Sequence, residues 1–165
     1  MRKDGQSMRK RKIIRIISRI CFGIYMIVLV YFLLLSDGFG RMDGHRTLQY
    51  NLIPFQEIKR FAVYWQTIGA YYSIINLAGN VVAFMPFGAL IRWVVNQKTR
   101  WYQAVGYTFL FSLSVELLQL VARVGVFDVD DLILNTLGGL LGFWIYYILL
   151  LINRRSEQNA ERKCL

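Results

Sequence analysis

Residues 132–153 read Leu132-Ile-Leu-Asn135-Thr-Leu-Gly138-Gly139-Leu-Leu-Gly142-Phe-Trp-Ile-Tyr-Tyr-Ile-Leu-Leu-Leu-Ile-Asn153 and contain no charged residue. About 20 apolar residues cross the hydrocarbon core of a bilayer as a helix. Lipid offers the backbone no hydrogen-bond partners, so a run of this length has to be helical. Residues 61–91 are equally free of charge, residues 101–115 are too, and residues 20–35 form a shorter apolar run. Spans are expected near 16–35, 74–95, 102–121 and 132–152. Four such runs in 165 residues leave too little chain to cover them as a soluble core. The predicted fold is an all-α membrane protein, a four-transmembrane-helix bundle. Its parts are a basic N-terminal segment (1–15), the transmembrane domain (16–152) with an outer loop (36–73), and a tail (153–165).

Composition agrees. Hydrophobic residues make up 56% of the chain and charged ones 18%, against about 25% in ordinary soluble domains. Twenty Lys/Arg against ten Asp/Glu give a net charge of +10. In a soluble protein that excess suggests nucleic acid; here its distribution suggests topology instead. Fifteen of the twenty cations fall on one side: the N-terminal segment with Arg19 at the start of the first span, the turn of Lys98 and Arg100 with Arg92 before it, and the tail. The other side holds five: Arg41, Arg46, Lys59, Arg60 and Arg123. The positive-inside rule puts both termini in the cytoplasm, with basic residues touching anionic lipid headgroups. Ser36-x-Gly38 is a poor cleavage site, so the first span is read as an uncleaved anchor. Cys21 and Cys164 form no outside pair, so no disulfide is expected.

Polar residues inside apolar runs are costly and are functional candidates by default. On the third span Glu116, Gln119 and Arg123 are spaced by three and four, with Ser112 a turn earlier. That spacing predicts one polar face. Asp128, Asp131 and Asn135 repeat it at the start of the fourth span. Asp128 also suits a helix N-cap. On the second span Asn76 and Asn80 precede Pro86, whose missing N–H frees a backbone carbonyl. Gly138, Gly139 and Gly142 suit close helix packing. Glu116, Asp128, Asp130 and Asp131 are candidate oxygen ligands for a divalent cation, although their spacing matches no calcium loop. Lone His45 reads as solvated, and no Ser-His-Asp set, nucleotide-binding glycine loop or paired-Cys site is present.

These pieces resemble the VanZ-like family of small bacterial membrane proteins. The similarity lies in Asn51-Leu-Ile-Pro54-Phe55, Asn76 with Asn80-Val-Val-Ala-Phe84-Met-Pro86-Phe87-Gly88, Ser114-Val-Glu116-Leu-Leu-Gln119 with Arg123, and Phe127-Asp128-Val-Asp130-Asp131 through Asn135 to Gly139. The resemblance implies a multi-pass protein of the bacterial plasma membrane, in a family associated with resistance to glycopeptide antibiotics, especially lipid-bearing ones.

Two functions are open at this point. In the first, the chain binds or modifies an anionic lipid or lipid-linked cell-wall headgroup at the outer leaflet. Arg123 would then contact phosphate, and Asn80, Gln119 and Asn135 would orient the headgroup. Glu116 with Asp128 or Asp131 would act as acid/base or hold a cation. In the second, the chain is a non-enzymatic adaptor or antibiotic shield. The polar cluster would then stabilise the bundle, and the aromatic stretch 61–72 of the outer loop would be the working surface. Transport by only four spans would require a homo-oligomer, namely a dimer, and no internal repeat is visible.

Overall fold

The computed structural model describes residues 2–35, 50–56, 59, 63, 70–95 and 98–163. Most of the outer loop, including His45 and nearly all of the aromatic stretch 61–69, lies outside the described residues. The described residues form four long helices: α1 (Arg2–Leu35), α2 (Ala70–Val94), α3 (Trp101–Ala122) and α4 (Val129–Lys163). Each contains a stretch long and apolar enough to cross a membrane. Both α1 and α4 run past their apolar stretches, so the basic N-terminal segment and much of the tail are helical extensions of the spans.

The helices alternate in direction. Tyr25 of α1 bonds to Ala83 of α2, Ser112 of α3 meets Asn135 of α4, and Val81 and Met85 of α2 lie against Gly138 and Gly142 of α4. One end of the bundle gathers Leu33, Asn80, Glu116 and Asp128–Asn135; the other carries Arg92, Lys98, Arg100, Arg154 and Arg155. They are called the acidic and basic ends below.

Without a hydrophobic force between helices in lipid, packing rests on close backbone approach. The α2–α4 crossing shows how close. A Cβ built on Gly88 would lie 1.7 Å from the carbonyl oxygen of Gly139, and one on Gly142 would lie 1.9 Å from that of Met85. Neither position has room for a side chain. Toward the basic end, Phe87, Ile91, Ala104 and Phe143 form a buried apolar cluster. Phe22, Tyr25, Met26 and Phe111 pack around it, with Phe87 and Phe111 stacked at 5.3 Å. Arg92 lies over the rings of Phe143, Tyr146 and Tyr147 at 5.7–5.9 Å, a cation–π arrangement that joins α2 to α4 at that end.

Helix α1 is held more loosely, with most of its large apolar side chains exposed to the lipid zone. Hydrogen bonds from neighbouring elements and from Tyr25 tie it down, among them two between described residues. The Tyr25 hydroxyl donates to the Ala83 carbonyl at 2.6 Å, next to the carbonyl of Val82 that Pro86 cannot serve. Gln119 of α3 donates from Nε2 to the Leu33 carbonyl at 2.8 Å.

Local signals end α3 cleanly. Arg100 is extended at its start, and its N–H donates to Gln103 Oε1 at 2.9 Å, one half of a capping box. At the other end Arg123 turns left-handed (φ 56°), and the Val124 N–H returns to Gln119 O at 3.1 Å. The chain then forms a strand, β2 (Phe127–Asp128), paired in parallel with β1 (Tyr50–Asn51). In register Tyr50 faces Phe127 and Asn51 faces Asp128. This small ladder brings the segment around residues 50–55 onto the start of α4.

Candidate functional site

The acidic end is built from four separate segments of chain. Asp128 occupies its centre. It precedes the first residue of α4, and its Oδ1 accepts the Asp130 N–H at 2.8 Å, which caps the helix. Asp130 and Asp131 follow in the first turn, where the positive end of the helix favours acids. Asn51 donates from Nδ2 to the Asp128 carboxylate at 3.3 Å to each oxygen, and its own Oδ1 accepts the Ile53 N–H at 3.2 Å. The Phe55 N–H donates to Asp130 Oδ1. Phe55 itself is left-handed (φ 63°), a conformation costly for a residue with a Cβ. The bond to Asp130 helps hold it there.

Glu116 lies beneath this turn and is 3% exposed. Its Oε2 accepts the Asp128 N–H at 3.0 Å, so the carboxylate of α3 carries the backbone that enters α4. Asn80 of α2 donates to Asp131 Oδ1 at 2.5 Å. One turn deeper, Asn135 Nδ2 donates to Ser112 Oγ at 2.9 Å, both side chains being buried. The Asn135 Oδ1 atom is buried and has no hydrogen-bond partner among the described residues. Below it Thr108, also fully buried, bonds back to the Ala104 carbonyl and packs against Gly139.

The structure therefore unites Asn80, Glu116, Asp128, Asp131 and Asn135, and it corrects two expectations. Asp128, Asp131 and Asn135 do not act as one helix face. Asp128 precedes the helix, Asp131 turns to α2, and Asn135 turns to α3. Nor does Arg123 extend the stripe of Glu116 and Gln119. Helix α3 ends at Ala122, so Arg123 leaves the helical repeat and is exposed, while Gln119 reaches to α1.

The sequence reading gave Asp130 a part only as a cation ligand, yet it is the most buried acid of the cluster, at 1% exposure. The pairing of β1 with β2 was missed as well. Among the described residues no group of three or more His, Cys, Asp or Glu side chains is arranged to hold a metal ion. The donors seen on these carboxylates are N–H groups.

The fold and its polar end define a multi-pass membrane protein whose spans are knitted together at one surface by carboxylate and amide side chains. Residues 22–151 match the family model described as VanZ/LLP1, and the chain belongs to that family. It is 26% identical over 132 residues to Protein VanZ of Enterococcus faecium, covering 80% of this chain and 74% of that protein. No solved structure matches it.

Proposed function

We propose that this chain works at the outer face of a bacterial plasma membrane, where its acidic end engages a lipid or lipid-linked cell-wall headgroup and lowers susceptibility to glycopeptide antibiotics. The Lys/Arg bias supports placing the acidic end outside. The observation that carries the reading is the convergence of Asn51, Asn80, Glu116, Asp128 and Asp131 from four segments at one membrane surface. The unpartnered amide oxygen of Asn135 beneath them adds to it. The carboxylates already accept N–H donors, which favours recognition over acid/base chemistry as their role.

One observation favours the second reading, a shield. Tyr50, Leu52, Ile53 and Phe55 are exposed, and the segment that carries them is pinned by Asn51–Asp128 and Phe55–Asp130. In this reading the polar cluster is a mount, and the apolar segment 50–55 joins the aromatic stretch 61–72 of the same loop as the working surface against a lipid-bearing drug.

The two readings separate in a susceptible Gram-positive host expressing the protein. The readout is the inhibitory concentration of a glycopeptide, with membrane levels of each variant measured beside it. Headgroup engagement expects Glu116→Gln and Asp131→Asn to lose protection at unchanged protein level, and Leu52→Ser/Ile53→Ser to keep it. The reverse pattern transfers the function to the shield. Protection by every variant overturns both.

A further inference from the structure

The basic end holds a cavity that the acidic-end function does not use. It has a volume of about 530 Å³ and opens at the turn between α2 and α3, lined in part by Lys98, Thr99, Arg100, Tyr102 and Gln103. Its chemistry is graded along its length. At the turn stand two cations, Lys98 and Arg100, with the hydroxyl of Tyr102 held 3.3 Å from Arg100 Nη1. Among the described residues no acidic side chain lines it. Val95, just past the end of α2, lines the turn as well, and Tyr107 forms the part of the wall farther along α3. Tyr107 lies seven residues after Arg100 along α3, roughly 10 Å toward the hydrocarbon at the rise of a helix.

A free phosphate or a nucleic acid would use only the cationic mouth. A phospholipid would use all of it, with its phosphate between Lys98 and Arg100 and its glycerol and first methylenes along Val95 and Tyr107. Tyrosines and tryptophans prefer this depth, and Trp101 and Tyr102 mark it here. We propose that the α2–α3 turn is a binding site for one phospholipid with an anionic headgroup, in the leaflet facing the basic end. The Gln103 bond to the Arg100 amide fixes the backbone of that turn, so the guanidinium starts from a set position. Arg154 and Arg155, at the same end on α4, are not part of the cavity wall.

The test is native mass spectrometry of the full-length protein in mild detergent, titrated with phosphatidylglycerol or with phosphatidylcholine of the same acyl chains. Wild type should retain one phosphatidylglycerol in preference to phosphatidylcholine. Lys98→Gln/Arg100→Gln should lower that preference about thirtyfold, from roughly fivefold for each basic residue at a lipid surface. Arg154→Gln/Arg155→Gln removes the same charge at the same end and should behave as wild type. Lys98→Arg/Arg100→Lys keeps the charge and should retain binding, which separates lost charge from a damaged turn. Equal losses in the two glutamine pairs would show diffuse attraction and overturn the site. Loss in the charge-keeping variant, or no preference in wild type, overturns it too. Displacement of the lipid by millimolar inorganic phosphate would leave a small-anion site and overturn the lipid assignment.

Discussion

Asn80 on α2 and Asp131 on α4 are joined by a hydrogen bond 51 positions apart in the chain, from the amide nitrogen to Oδ1 at 2.5 Å. The bond lies about two helical turns from the contact of Gly88 with Gly139, and it locks the acidic end of the same helix pair that the glycines hold farther along.

That bond should be measurable as a coupling. Asn80→Ala and Asp131→Ala are each expected to destabilise the purified protein, and together by less than their sum. A double-mutant cycle on detergent-solubilised protein should give about 0.6–1.7 kcal/mol of interaction. Full additivity would mean that the two side chains are not partners.

The glycine crossing makes a sharper distinction. Gly88→Ala and Gly142→Ala place a methyl group on a facing carbonyl and are expected to cost about 2 kcal/mol or more. Gly79→Ala and Gly106→Ala meet nothing within 4 Å and should be neutral or slightly stabilising, since alanine suits a helix better. Thermal unfolding of the four variants side by side checks the ordering.

Ser112 and Asn135 offer a way to separate fold from function. Ser112→Ala removes the partner of the Asn135 amide and should cost about 1–3 kcal/mol. Ser112→Ala with Asn135→Leu removes both polar groups and should recover much of that loss. If Asn135 serves the proposed site, the double variant is stable in the membrane and gives no glycopeptide protection.

Arg123 stands left-handed at the end of α3, where a Cβ is a burden. Arg123→Gly is expected to stabilise the protein by about 1 kcal/mol. If its guanidinium contacts a phosphate, the same variant loses protection while gaining stability. Thermal unfolding and inhibitory concentration measured together read both.

Hydropathy and charge carried most of the architecture into view. Charge-free runs of span length permit only helices in lipid, and most of the cations fall at the ends of these runs that alternation of the helices brings together. The polar residues of the site were visible for the same reason, standing where apolar side chains belong. Their partners were not visible. Three-and-four spacing places residues on one face only while the helix continues, and both polar stripes run across a helix end. Asp128 lies just before α4 and Arg123 just after α3, so each left the pattern that linked it to its neighbours. The β1–β2 pairing could not be read because two residues carry no periodicity, and its register depends on contacts between distant parts of the chain. Asp130 was undervalued for a related reason. One of its contacts comes from the distant segment 50–55, where Phe55 offers it a backbone N–H that no side-chain pattern reveals.

Two of the bonds that hold α1 among the described residues end on main-chain carbonyls, those of Leu33 and Ala83. Every amino acid supplies that acceptor, so neither attachment prescribes a side chain at position 33 or 83. Tyr25 and Gln119 carry all the chemical identity of these contacts. Helix α1 is thus free to exchange its lipid-facing residues over generations and follow the bilayer of its host, while the three helices it leans on keep their shape.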